Sequence, residues 1–563
     1  MFRSRTPLVA AVLAAGAALT PSALAAQTPP KPHVTSLLTG FESLWHPSST
    51  PLHGDVRDGE ALAHNDEMVS WVNQHATATQ RTRALQDAMY RTSDGARYDQ
   101  SLTIADGLGR TLGDLYLEGR RSGKLPLTSA LLDSSDGSAG DFVSTSKAKS
   151  HYSYPRPFLR ARADDHGACR ADHADASSLA ANRSGRAWAD GDGDLTVTRV
   201  APQRDSSHRY VAKDVTLDPN YDGLCLSGSF PSGHTVTAYE AGTTLATLVP
   251  EVAPGVLARA SEAANNRLVL GVHYPFDVIG GRMAAQSGIA TLWADESFRT
   301  STLEPARKEL RDYLSAGCTK KLGVTTLAQC VAKDQPYRDD PYGGSIAPGG
   351  SSQQVSDRAS ALVVYRERLD YGFTPKSAAG QGDSATESAS SSLSSPASAT
   401  TSLAGADSSA ATSPGASTSG VTRGESDRLT TADVPPAAAA LLRTTYPTLT
   451  DDQRRAVLAQ TAIPSGNPLA VGDGAAWQRL DLAAAMSQRV TVSSGGAVTV
   501  TSADRAEVAG PGAQQRSNES SQTSTTSGDT HSTSPWPALA PIAGLAAAAA
   551  VVVGVLLARR RPS

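Results

Sequence analysis

The sequence predicts an all-α protein, a helical bundle, on three observations. Five segments between residues 34 and 316, Asn65–Asp87, Leu102–Gly119, Thr235–Leu248, Val256–Asn265 and Asp277–Ala294, repeat apolar residues three and four positions apart, as a helix burying one face requires. Plausible strands are few over that stretch. Turn-forming Gly, Asp and Ser collect instead in two irregular inserts, Asp133–Ser146 and Ala163–Asp194, which read as surface loops.

Taken from the start, Arg3 and Arg5 precede an apolar run from Leu8 to Leu19, and Ala23-Leu24-Ala25 supplies small residues for cleavage near Ala25 or Ala26. Residues 1–26 therefore read as a secretory signal peptide, the run being shorter than the roughly 20 residues that span a bilayer. Residues 27–375 form the expected helical domain. Residues 376–427 are almost entirely Ser, Ala, Gly and Thr, which cannot bury enough apolar surface to offset chain entropy, and read as a disordered linker. Apolar periodicity returns over 428–510, including the alternating Val490, Val492, Val498 and Val500, and suggests a small accessory module. Residues 511–535 make a Ser/Thr-rich stalk. The apolar stretch 536–558, from Trp536 to Ala558, is long enough to cross a membrane, and Arg559, Arg560 and Arg561 in the tail 559–563 should remain cytoplasmic. The expected location is the extracellular face of the cell membrane, with the last helix as anchor.

Lys plus Arg number 51 against 55 Asp plus Glu, a net charge of −4, so nothing in the balance calls for a nucleic-acid partner and any anion site must be local. Four cysteines in an exported chain suggest two disulfides. Of three possible pairings, Cys318 with Cys330 closes a short local loop and leaves Cys169 to Cys225. No CxxC spacing supports zinc.

Three distant segments carry groups suited to a phosphate. Lys149 is followed after six residues by Arg156-Pro157, a point charge and a planar fork of donors. Ser232-Gly233-His234 runs into the helical pattern starting at Thr235, so amide N–H groups and the positive end of a helix would face an anion, with His234 at the rim. Asn266-Arg267, five residues, His273, three residues and Asp277 form the third segment. Pro275 suits a first helical turn, from which Asp277 can fold back onto the His273 ring, fix its tautomer and leave the other nitrogen able to attack.

In this order and spacing the segments resemble the type 2 phosphatidic acid phosphatase superfamily, whose signature reads Lys-x6-Arg-Pro, Pro-Ser-Gly-His and Ser-Arg-x5-His-x3-Asp. The flanks Gly228-Ser-Phe-Pro-Ser-Gly-His-Thr235 and Leu270-Gly-Val-His-Tyr-Pro275 look most like the soluble class A bacterial non-specific acid phosphatases, and the motif core spans residues 99–294. The resemblance implies a phosphatidic acid phosphatase/haloperoxidase-like helical fold and a phosphatase acting on small phosphorylated substrates. It implies that His273 attacks phosphorus, Asp277 orients it and His234 protonates the departing alcohol. Lys149, Arg156, Arg267 and the Ser232 and Gly233 amides would hold the phosphoryl oxygens, with no metal or cofactor required. Asn266 departs from the family's serine; it is expected to donate to a phosphate oxygen or a loop carbonyl.

Vanadium-dependent haloperoxidases share this cradle and would hold vanadate in it. A non-catalytic surface display or adhesion role, resting on stalk and module, is the competitor of another class. A membrane-embedded lipid phosphatase would need several spanning helices that the catalytic stretch lacks. Asp190, Asp192 and Asp194 imitate a calcium loop, but no glutamate follows at the twelfth position and Leu195 stands where glycine should. Ile463-Pro-Ser-Gly-Asn467 echoes the second motif without its histidine and reads as a turn, and His151 and His166 read as loop or pocket-edge residues. Nucleotides, sugar phosphates and envelope phosphates all fit a site that grips mainly the phosphoryl group.

Overall fold

Helix α1, Gly59–His75, starts where Asp58 accepts the Ala61 amide at 3.2 Å, and it stops at an extended Ala76. The expected single helix Asn65–Asp87 is two helices, because Thr77 and Gln80 form a reciprocal capping box (Gln80 N to Thr77 Oγ1 3.1 Å, Thr77 N to Gln80 Oε1 2.8 Å) that starts α2, Ala78–Ala88, afresh. The expected Leu102–Gly119 helix is broken at Gly109, whose φ of +102° suits glycine, and α3 runs Arg110–Arg121. The structure, a computed structural model, describes residues 29–88, 97–135, 137–211, 213–334, 355–373 and 428–502. The expected signal peptide, linker 376–427, stalk and membrane-spanning segment lie outside these residues.

Short helices α4, Ser146–Tyr152, and α5, Ser177–Arg183, lead to the central trio α6, Gly233–Leu248, α7, Ala253–Val269, and α8, Pro275–Ala294. Along α8 every residue except Ser287, Thr291 and Ala294 is buried, the mark of a helix covered on all sides. Helices α6 and α7 approach so closely at Gly242 that a Cβ there would meet the Ala260 Cβ at 2.5 Å. Helices α9, Glu304–Leu322, α10, Leu327–Lys333, and α11, Arg358–Asp370, pack outside the trio, and the Cys318–Cys330 disulfide joins α9 to α10. The described strands form three two-stranded antiparallel hairpins: β1–β2 (Trp45–Pro47, Gly54–Val56), β3–β4 (Gln203–Asp205, Val215–Leu217) and β5–β6 (Gln488–Val492, Val498–Ser502). No single described helix is long and apolar enough to cross a membrane; α6 and residues 250–269 pass that test only as a pair bent by 120°.

Three further expectations are corrected. The segment read as a separate module over 428–510 shares the main core through its described residues 428–502: Leu441, Leu442, Trp477 and Leu482 belong to the same buried cluster as α8. Arg282 of α8 donates to the carbonyls of Trp477 (3.2 Å) and Gln478 (2.6 Å), and Thr444 donates to the Thr247 carbonyl at 2.8 Å. The segment also contains helix α12, Asp451–Thr461.

The Ala163–Asp194 insert is likewise more than a surface loop. Its helix α5 ends in Arg183, which has 0% exposure and donates to Asp66 (3.1 and 2.9 Å) and to the Tyr274 hydroxyl (2.7 Å). Polar composition suggested solvent, but one long cation anchors the insert in the core. The Asp133–Ser146 insert is anchored as well, with Phe142 and Val143 buried and their amides donating to Glu240 Oε1 at 3.1 and 2.8 Å. Burial holds the Glu240 carboxyl well above the usual range.

Candidate active site

Helix α4 ends at Ser153, whose φ of +46° turns the chain so that Lys149 and Arg156 face the same loop, residues 224–229. Lys149 Nζ donates to the carbonyls of Gly228 and Ser229, each at 2.8 Å. Arg156, 1% exposed, donates to the carbonyls of Leu224 (3.1 Å), Ser227 (2.9 Å), Gly228 (3.2 Å) and Val272 (2.9 Å). The two cations thus brace the loop that leads into α6. Burial first, then the neighbouring Arg156, holds Lys149 well below the ordinary lysine range. Burial pushes Arg156 down to about 9, so its charge persists at neutral pH.

Ser232 caps α6, its hydroxyl accepting the Thr235 amide at 3.2 Å, and its own amide donates to the Asp277 carbonyl at 3.0 Å. Gly233 is the first helical residue, and a Cβ there would approach Thr145 Oγ1 at 3.3 Å. His234 follows, half-buried, and with Gly233 it lines a cavity of about 490 Å³. Burial, then the Arg267 charge, holds the His234 ring well below its ordinary basicity, while the Ala88 carbonyl works the other way.

After α7 the chain reverses at Gly271, φ +64°, where a Cβ would collide with Val197 at 2.2 Å. The turn delivers His273, 2% exposed, immediately before α8. Asp277 Oδ2 accepts the Tyr274 amide at 2.9 Å and faces His273 Nδ1 at 2.9 Å, while Oδ1 accepts the Ser229 hydroxyl at 3.4 Å. This is the fold-back expected of a carboxylate in the first turn behind Pro275. On the other edge of the ring, Arg156 Nη1 lies 3.1 Å from His273 Nε2. Since arginine only donates, Nε2 accepts, the proton resides on Nδ1, and the two contacts together fix one tautomer. Burial and the charges of Arg156, Lys149 and Arg267 keep the ring well below its ordinary basicity and neutral, and burial raises the Asp277 carboxyl.

Lys149, Arg156 and Arg267 each depress both imidazoles, and His234 further depresses His273, so the three sequence segments converge on one electrostatic neighbourhood. Arg267 is 1% exposed. Asn266 does not serve the site as expected: its amide donates to Asp87 Oδ2 at 2.7 Å, a carboxylate already gripped by Arg259 (3.0 and 2.5 Å). His151 and His166 lie at the surface beside Glu42 and Asp165, away from these groups. Asp190 Oδ1 accepts the amides of Asp192 and Asp194, an ordinary turn. Among the described residues, the one His/Cys/Asp/Glu group close enough to share an ion is Cys169, Asp222 and Cys225, and its two sulfurs are joined as a disulfide. Both disulfides follow the expected pairing.

Sequence reasoning missed Ser229, which steadies Asp277, and the Asp66–Arg183–Tyr274 chain behind the segment that carries His273. The Ser229 position inside the second motif was a signal for the first. Nothing local announces the second.

The family model of the PAP2 superfamily matches residues 137–300, which contain Lys149, Arg156, His234, Arg267, His273 and Asp277. The chain is 38% identical over 96 residues to an acid phosphatase of Zymomonas mobilis subsp. mobilis, covering 17% of this chain and 36% of that protein. It is 33% identical over 88 residues to a non-specific acid phosphatase of Providencia stuartii, covering 16% of this chain and 35% of the other. The chain therefore spans about a third of the length of these curated relatives, and the residues that match the family model contain the helical trio and the three motif segments.

Proposed function

We propose that this protein is an exported phosphatase that hydrolyses phosphate monoesters through a phosphohistidine intermediate. The observation that carries the reading is the held tautomer of His273, with Nδ1 on Asp277 and Nε2 turned to Arg156. A phosphoryl oxygen that accepts Arg156 Nη1 uncovers the Nε2 electron pair. Nε2 attacks phosphorus, the bond to the ester oxygen breaks, and His234 gives that oxygen its proton. Asp277 stabilises the positive charge that develops on the ring. Neutral His234 then takes a proton from water, the hydroxide displaces His273, and inorganic phosphate leaves. Lys149, Arg156, Arg267 and the Gly233 amide serve the non-bridging oxygens as charge redistributes; the Ser232 amide, expected to join them, is taken by the Asp277 carbonyl. The relatives' names, acid phosphatase and non-specific acid phosphatase, support the reaction class.

Export rests on residues 1–26, and attachment at the extracellular face rests on the apolar 536–558 stretch with its arginine stop. The two disulfides fit an oxidising compartment.

The test is release of phosphate from p-nitrophenyl phosphate by the full chain and by His273→Ala, with rapid quenching in alkali to trap phosphohistidine. Turnover lost in the variant, together with an alkali-stable, acid-labile phosphoprotein in the parent, is expected. Undiminished turnover by His273→Ala, or bromide oxidation by peroxide in added vanadate without phosphatase activity, would overturn the proposal.

A further inference from the structure

The first turn of α8, with Tyr274 just before it, is held from outside at three points. Amides at a helix start lack helical partners, and that of Phe276 donates to Asn65 Oδ1 of α1 at 3.0 Å. The Asp277 carbonyl takes the Ser232 amide at 3.0 Å. Arg183, at the end of α5, donates through Nη2 to the Tyr274 hydroxyl at 2.7 Å, and through Nε and Nη2 to Asp66 at 3.1 and 2.9 Å. Asn65 and Asp66 are neighbours on α1, so one step of that helix serves the backbone of the turn directly and its tyrosine through Arg183.

Asp66, Arg183 and Tyr274 are fully buried, so none of them meets a substrate. As a source of stability the ion pair is inefficient: both charges are stripped of water, and Arg183 Nη1 and Asn65 Nδ2 find no partner. A buried pair of this kind recovers little of its desolvation cost, and apolar side chains of the same volume would fill the space as well. What the guanidinium fork adds is direction. It ties the far end of the Tyr274 side chain to a fixed carboxylate, while the amide of the same residue donates to Asp277 Oδ2 at 2.9 Å. That oxygen is the one that faces His273 Nδ1, also at 2.9 Å. The Tyr154 ring lies beside Tyr274, centroids 5.2 Å apart, and limits its sideways movement.

We propose that Arg183, acting through the Tyr274 hydroxyl, is a positioning residue for the His273–Asp277 pair: the insert that supplies α5 sets the angle at which the carboxylate meets the ring. The inference rests on the phosphohistidine reading above and adds to it a residue outside the three motif segments. Misplacing a reacting group by about 1 Å costs on the order of 10²-fold in rate. One lost hydrogen bond loosens the turn by less and should cost less.

Tyr274→Phe in the full chain keeps the ring and its packing and removes only the hydroxyl, leaving Arg183 on Asp66. The expected result is a fall in kcat for p-nitrophenyl phosphate of several-fold to about tenfold, with a matching fall in the rate of phosphohistidine formation under rapid quench. The inhibition constant of sulfate, which reads the cationic cradle alone, should not move. Arg183→Lys keeps a charge against Asp66 but cannot span Asp66 and the hydroxyl together. Its kcat should fall by a similar factor, and the double variant should fall no further than either single variant, since both break one link. Unchanged kcat in Tyr274→Phe, losses that multiply in the double variant, or a sulfate constant that weakens in step with kcat would each overturn the positioning role, while turnover by the parent chain keeps the phosphatase reading intact. A parent chain that forms no phosphohistidine would sink both.

Discussion

Arg156 Nη1 and His273 Nε2 lie 3.1 Å apart, so the residue proposed to hold the phosphoryl group rests on the very nitrogen proposed to attack it. Substrate binding and nucleophile release are then one event: the donor that caps Nε2 is the donor a phosphoryl oxygen claims.

Arg156→Lys should lower kcat/KM for p-nitrophenyl phosphate by about 10²-fold or more, because an ammonium cannot serve the carbonyls of Leu224, Ser227, Gly228 and Val272 and still reach the phosphoryl group. Steady-state kinetics measures it. Retention of most activity would mean that Arg156 only braces the loop.

Asp277→Asn presents an amide to His273 Nδ1 and the Tyr274 N–H in place of a carboxylate. An amide nitrogen turned toward the ring would force the proton onto Nε2 and block attack. Turnover should fall roughly 10²–10⁴-fold while sulfate, which needs only the cationic cradle, still binds. Kinetics and calorimetry separate the two effects.

His234 sits below its ordinary basicity through burial and the Arg267, Arg156 and Lys149 charges. A bound dianion offsets those cations and raises the ring's pKa, so binding takes up a proton. Sulfate stays dianionic across the working range, and its affinity should therefore be highest at acid pH and weaken as pH rises through the pKa of His234 in the complex. Titration calorimetry in buffers of different ionisation heat reads the proton uptake, and His234→Asn should flatten the slope.

Arg183→Met removes the cation from a pair with 0% exposure on both sides and leaves Asp66 buried beside Tyr274. A loss of about 3–5 kcal/mol in unfolding free energy is expected from urea titration. A change under 1 kcal/mol would show that the insert is not anchored there.

Asn266→Ser withdraws a donor from Asp87, which keeps Arg259. The expected cost is about 1–3 kcal/mol of stability, read by thermal unfolding, with KM for p-nitrophenyl phosphate unchanged. A raised KM would place Asn266 in phosphate binding after all.

What the sequence disclosed was largely local. The His273–Asp277 contact spans four residues and follows from Pro275 at the start of a helix, and the Ser232 cap follows from the turn into α6. Convergence of the three segments follows only from the resemblance to the superfamily's signature, since no periodicity in the chain says that Arg156 meets His273 across 117 positions. The Thr77–Gln80 capping box was visible in the letters but was hidden inside an apolar repeat that continued past it. Arg183 was invisible for another reason: a polar insert looks the same whether its one long cation points outward or inward, and the partner that decides, Asp66, is 117 residues away. Asn266 misled because an amide near a phosphate motif suggests a ligand, whereas burial placed it against Asp87.

The stretch 428–502 acts as a lid on the bundle's interior face, supplying the backbone oxygens that satisfy Arg282 and the apolar side chains that shield α8. A chain cut after the recognisable motifs would open the apolar face of that helix to water and take from Arg282 the carbonyls of Trp477 and Gln478. The smallest autonomous fold therefore extends at least through Gln478, about two hundred positions after Asp277.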